Sequence, residues 1–249
     1  ERWGIGHPGL RVLDAAVITL AALFLLTPMA MVAARGLPAL PPISADILLA
    51  ALRSFAVAFA AAAISVTLAL SMALLATTER RLLAAPVALL AQLSIAISPL
   101  VIGTGLFIML YPVADPMALA LPLTAIVNAV MSLPFVYRIL QNAASDTLAV
   151  YGRLSASLGL SGWARLRVVL LPRLVRPLGF AAGLSAALSM GDLGVIVLFA
   201  APDAPTLPMQ MYRLMAAYQM DQAAAAALVL LVGTLALFWV FDAWGRARA

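Results

Sequence analysis

Residues 151–172 read YGRLSASLGLSGWARLRVVLLP, and they interrupt a chain that is otherwise a series of apolar runs. Leu148, Tyr151, Leu154 and Leu158 recur at spacings of three and four, which gives one apolar helical face. Ser145 or Asp146 suits the start of that helix, because a short polar side chain can bond the free N–H groups of a first turn. Gly159 suits its end, because glycine takes the left-handed cap conformation without a steric penalty. Ser161 can open a second helix with Trp163, Leu166, Val169 and Leu170 as its apolar members. Pro172 is expected to end it, and Pro177 suits the first turn of whatever follows. The expected object is a short amphipathic helix, a glycine turn and a return helix. Such an element fits a groove on a partner protein, rests on lipid headgroups as an interfacial helix, or serves as a folded linker.

The flanks show where this element sits. The chain has 249 residues, of which 65% are hydrophobic and only 10% charged, with a mean hydropathy of +1.09. A soluble domain carries about 25% charged residues. Here polar side chains are too few to coat a water-soluble globule, so lipid must touch most of the surface. The apolar runs divide into about six spans: Leu13–Ala34, Ile47–Thr77, Leu83–Met109, Met117–Leu140, Leu174–Ala200 and Asp221–Phe241. Pro99 and Gly103 predict a kink or break inside the third. Most connections are short. The exception is 141–173, and long ordered connections are usually functional.

Arginine sets the orientation, since cytoplasmic loops carry the excess of basic residues. With the N-terminus in the cytoplasm, Arg2, Arg11, Arg80, Arg81, Arg138, Arg153, Arg165, Arg167, Arg173, Arg176, Arg246 and Arg248 fall inside. Arg35, Arg53 and Arg213 fall outside, a split of twelve to three among the 15 basic residues. Both termini and the 141–173 connection are then cytoplasmic. The basic residues cluster at the ends of apolar runs, which argues against nucleic acid as a partner despite the net charge of +5.

Composition excludes several chemistries. There is no cysteine, and His7 is the single histidine, in a polar N-terminal stretch. No thiolate or histidine metal site, and no Cys or Ser nucleophile with a nearby imidazole base, can be assembled from this chain alone. Asp192 is the one aspartate well inside a span, so a two-aspartate intramembrane protease is excluded too. The chain has no lysine and no Gly-x4-Gly-Lys-Ser/Thr loop, so it cannot bind nucleotide phosphates through a P-loop. No enzyme activity is expected of it.

Gly159, nine further residues, then Val169, Leu170, Leu171 and Pro172 resemble the second half of the signature of bacterial ABC importer permeases, Gly, nine residues, Ile, one residue, Leu-Pro. Arg153, Leu154 and Ser155 stand where that signature has Glu-Ala-Ala, a departure in its first half. The segments YGRLSASLGLSGWARLRVV, LSMGDLGVIVLF and TLPMQMYRLMAAY, with TERRLLAAPV, ISPLVIGTGLF and NAVMSLPFVYR before them, are similar to the C-terminal half of the thiamine and thiamine pyrophosphate permeases. Ferric-iron permeases share the architecture, so iron or another small solute is the alternative cargo. An ATP-independent secondary transporter is the more distant alternative.

The resemblance implies an all-α membrane protein, a six-transmembrane-helix ABC importer permease bundle with a cytoplasmic coupling helix. Residues 1–249 would form a single permease domain, the second half of a longer two-half chain, with 141–173 as its coupling loop. It would lie in the bacterial inner membrane as a multi-pass protein. Its partners would be a cytoplasmic ABC ATPase dimer, a second permease half and a periplasmic solute-binding protein. It would bind no cofactor; ATP and Mg would belong to the ATPase. The residues implied to couple to the ATPase are Tyr151, Arg153, Leu154, Ser155, Leu158, Gly159, Leu160, Ser161, Val169, Leu171 and Pro172.

Within the membrane, Ser189, Gly191, Asp192 and Tyr212 are the candidates for a substrate pathway. A carboxylate at that depth is costly and often functional, and thiamine is a cation. Asp192 is equally suited to cap a helix broken beside Gly191 and Gly194. Tyr212 and Tyr218 lie in an amphipathic stretch, Leu207–Gln219, that suits a gate, a docking face for the binding protein or an interfacial helix. Gly183, Ser185, Ser189, Gly191 and Gly194 make one side of the fifth span small, which favours close helix packing. Phe238 and Trp239 read as interfacial aromatics, and Asp221 as a helix N-terminus favoured by the dipole.

Overall fold

The computed structural model describes residues 8–41, 43–77, 81–199 and 204–248. Among these there are helices and turns and no strand. The helices are α1 (Pro8–Gly36), α2 (Ala45–Thr77), α3 (Arg81–Gln92), α4 (Pro99–Leu110), α5 (Ala120–Ser157), α6 (Gly162–Arg165), α7 (Leu171–Met190), α8 (Gly194–Phe199), α9 (Leu207–Ala216) and α10 (Met220–Ala247). Five helical stretches are long and apolar enough to cross a bilayer, and six if α3 and α4 count as one bent span. Arg2 and His7 lie outside the described residues, as do Arg80 and the end of the fifth span expected at Ala200.

α2, α5, α7 and α10 form the core. α2 presents a stripe of small residues, Ala50, Ser54, Ala58, Ala61, Ser65, Ala69 and Ala73, all buried. Small side chains let backbones approach where lipid supplies no hydrophobic drive between helices. Gly179 and Gly245 do the same between α7 and α10. A Cβ at Gly179 would stand 2.6 Å from the Phe241 carbonyl oxygen and 2.7 Å from the Gly245 Cα. α1 runs antiparallel along α10, with Gly36 against Ala224 and Leu228. Val32 and Ala33 are half-buried, and residues 9–31 are exposed.

The expected third span is two helices at 97° to each other. A 3-10 turn, Leu93–Ala96, ends α3, Ser98 is extended and Pro99 opens α4. Proline pushes its predecessor away from the helical region, so the bend lies just before Pro99. Gly103 plays a different part from the kink expected of it. It is buried, and a Cβ there would meet Leu198 of α8 at 2.8 Å.

The structure corrects two expectations for 141–173. No new helix starts at Ser145 or Asp146, because α5 continues unbroken through 38 residues to Ser157. The stripe Val136, Leu140, Ala144 and Leu148 carries the packing face of the span onward without a change of phase, and Pro134 lies within the helix. Nor does Pro172 end the return helix. Helix runs from Gly162 to Met190, with a π turn at Leu166–Leu170 just before the proline. Leu171 N–H bonds back to the Leu166 carbonyl, five residues earlier. That wider turn accommodates a residue with no N–H to donate.

The fifth span is itself divided, α7 ending at Met190 and α8 beginning at Gly194. The amphipathic stretch expected from Leu207 is α9, which packs on α2 and α10 through Leu207 and Leu214.

Candidate functional site

The first candidate region is the turn between α5 and the return helix. Gly159 has φ +71°, the left-handed conformation. Leu160 N–H bonds the Ser155 carbonyl at 2.9 Å and Gly159 N–H bonds the Ala156 carbonyl at 3.0 Å. This is the paired six-to-one and five-to-two pattern that closes a helix on a glycine. Ser161 is extended and opens the return helix, its carbonyl accepting from Ala164 N–H at 3.2 Å.

The base of this hairpin is packed and its tip is bare. At the base, Ala144, Leu170 and Leu174 form a cluster with Leu70 and Leu74 of α2. The Arg173 guanidinium lies 3.9 Å over the Tyr151 ring and donates to the Val169 carbonyl at 3.3 Å. That contact joins the two arms, since a cation over an aromatic face is attracted by the ring quadrupole. Ser155 is buried, its hydroxyl donating to the Gly152 carbonyl at 2.8 Å. Val169 is buried, and Leu160 and Leu171 are half-buried. Beyond them Leu154, Leu158 and Trp163 stand exposed, Trp163 by 70%. Arg153, Ser161 and Pro172 are exposed as well. So the expected coupling residues share one place, but they divide between those that hold the hairpin and those that face outward.

The second candidate region is the break after Met190. The Asp192 carboxylate accepts from Gly194 N–H at 3.3 Å and Val195 N–H at 3.4 Å. It caps α8 and satisfies N–H groups that the break leaves free. Ser189 faces another way: Asn128 Nδ2 donates to its hydroxyl at 2.9 Å. Gly191 is exposed, with nothing within 4 Å of an added Cβ. Tyr212 is exposed on α9. Ser189, Asp192 and Tyr212 therefore face α5, the next helix and the outside, and do not converge on one cavity.

The buried polar seam was not legible as a unit. The Ser132 hydroxyl lies 3.0 Å from that of Ser65 on α2 and 2.7 Å from that of Ser185 on α7. One turn away is the Asn128–Ser189 bond. Three helices are thus pinned in one register. A signal existed: Asn128 and Ser132, like Ser185 and Ser189, are i, i+4 pairs in apolar runs, and such pairs share a helix face.

The four-helix core, the bent pair and the long glycine-turned hairpin make up one all-α fold. A chain from a crystal structure of an amino acid ABC transporter with histidines shares this fold, with TM-score 0.60 and 16% identity, covering 81% of this chain and 93% of that one. No protein-family model matches the chain. In sequence, the chain is similar to the thiamine transport system permease proteins. It is 35% identical over 254 aligned residues to that of Brucella suis, covering 100% of this chain and 46% of the relative. It is 34% identical over 239 residues to that of Escherichia coli K12, covering 93% of this chain and 45% of the relative. The chain thus spans about half the length of the curated relatives it matches, and the match falls in their C-terminal half.

Proposed function

We propose that this chain is one half of the membrane permease of an ATP-driven importer, and that the solute is thiamine or thiamine pyrophosphate. The observation that carries the reading is the hairpin, with a Gly159 turn, a bare apolar tip and a base fixed to the transmembrane core. An apolar tip flanked by arginines fits a cleft on a soluble partner, and the relatives are transport permeases. The partner is a cytoplasmic ABC ATPase dimer, which holds the ATP and Mg. A second permease half completes the pathway, and a periplasmic binding protein delivers the solute. The hairpin end of the bundle, which carries most of the arginines, faces the cytoplasm together with both ends of this chain.

In this mechanism the hairpin transmits the ATPase movement because the two states of the ATPase contact the tip differently; without differential contacts no population shift follows. The permease alternates between inward and outward access while the seam at Ser132 keeps three helices moving as one body. Co-purification with the ATPase tests the reading. Deletion of 151–161, or Gly159→Pro, is expected to abolish the complex and thiamine uptake while the spans remain inserted. An ATPase complex that survives the deletion would sink the docking assignment.

A further inference from the structure

α5 carries a second polar face that neither the seam nor the hairpin uses. Tyr137, Arg138, Gln141 and Asn142 follow one another at helical spacing and line one cleft of about 310 Å³. Across it stands Gln92, at the end of α3, where the chain begins its 97° bend. The bend therefore brings an amide from a separate arm over the polar face of the hairpin helix.

Three observations point to what the cleft takes. Tyr137 is 2% exposed, yet its hydroxyl has no hydrogen-bond partner. A buried polar group without a partner costs about 1–3 kcal/mol; the hydroxyl is closed to solvent behind the cleft lining, so a bound acceptor removes that deficit only with a small turn of the Tyr137 side chain. Arg138 has no carboxylate partner among the described residues. No carboxylate lines the cleft. The lining offers a guanidinium with five donors, three amide NH2 groups and a phenol, a set that suits an anion with several acceptor oxygens. Guanidinium in particular matches phosphate oxygens two at a time.

We propose that this cleft is a binding site for a phosphate or diphosphate group, and that it holds the phosphorylated end of the transported solute. The assignment rests on the transport reading above and sharpens it: the permease itself distinguishes phosphorylated solute from the free cation. Arg138 is the anion ligand, Tyr137 and the amides complete the shell, and the α3–α4 bend keeps Gln92 opposite them.

The test uses the assembled transporter in nanodiscs, its ATPase sites saturated with a non-hydrolysable ATP analogue. Inorganic diphosphate, thiamine diphosphate and thiamine are titrated separately. Arg138→Gln is expected to weaken binding of both diphosphates about tenfold, the loss of one charge-assisted contact. Arg138→Lys should recover part of that, and Tyr137→Phe, which keeps the ring in place, should weaken both about threefold. The affinity for thiamine should not respond to any of the three. Equal diphosphate affinity in wild type and Arg138→Gln overturns the site. Native mass spectrometry from phosphatidylglycerol nanodiscs supplies the other arm: lipid retained through Arg138, with no diphosphate binding, assigns the cleft to headgroups and overturns the solute site. A wild-type transporter that imports neither thiamine nor its diphosphate removes the transport reading itself, a result separate from the titrations.

Discussion

The bent pair α3–α4 and the long hairpin built on α5 and α7 meet the same obstacle with opposite results. Pro99 stands at a 97° bend, whereas Pro134, Pro172 and Pro177 lie within helical stretches that continue past them. The difference lies in what surrounds each proline. Val169, Leu170 and Leu174 beside Pro172 are buried against neighbouring helices, and a π turn supplies an alternative bond for the backbone. Ser98, Leu100 and Val101 beside Pro99 are exposed. At Pro99 and Pro172 the outcome follows the surrounding packing, which sequence spacing alone does not show; Pro28 lies within α1 although its neighbours are exposed.

Matched glycine substitutions would break this contrast most forcefully. Gly179→Leu forces α7 from α10 and is expected to cost about 3 kcal/mol, within the usual range for overpacking. Gly105→Leu in the bent arm, where an added Cβ meets nothing within 4 Å, should change stability by less than about 0.5 kcal/mol. Equal losses in a detergent unfolding titration would show that the arm is as tightly packed as the hairpin. A smaller effect is expected at the seam. Ser132→Ala removes bonds to both Ser65 and Ser185 and should cost about 1 kcal/mol, as interhelical hydrogen bonds in membranes do. A double-mutant cycle with Ser185→Ala measures the share that belongs to the pair.

Asp192→Ala should cost a similar or slightly smaller amount, about 1 kcal/mol for a lost cap. Asp192→Asn keeps an acceptor and should retain most of the stability. If Asp192→Asn stops uptake at unchanged stability, the carboxylate serves transport as well as the α8 cap. The smallest energetic effects are expected at the prolines themselves, below about 1 kcal/mol. Their geometric effects should differ. Spin labels at Ala84 and Ile108 are expected to move apart in Pro99→Ala, whereas labels at Ala144 and Ala182 keep their distance in Pro172→Ala. Movement in the second variant and not the first would reverse the comparison.

Much of this fold was legible in the sequence because the bilayer leaves few options: apolar length identifies spans, and Gly159 must end a helix. A break capped by Asp192 was one of two readings of that residue, and its bonds to Gly194 and Val195 are those of a cap. The continuity of α5 was not legible, since Ser145 and Asp146 suit a helix start as well as an exposed helix surface, and only the packing of Ala144 on Leu174 and Leu70 decides between them. The π turn was hidden for the same reason. Tyr137, Gln92 and the other members of the polar cleft come from helices that the bend brings together, and no local pattern encodes that meeting.

The unbroken α5 has a mechanical consequence. From Ser132 to Ser157 the helix extends about 38 Å, and from Ser132 back to Ala120 about 18 Å, at the helical rise per residue. The serine contacts fix α5 to its neighbours near the boundary between these lengths. Rotation of the three-helix body about that point would deliver a displacement of the tip to Ala120 in the opposite sense and at about half the size. On the proposed transport reading, the ratio of the two arms would act as a reduction gear, trading a broad sweep outside the membrane for a smaller and more forceful one within it.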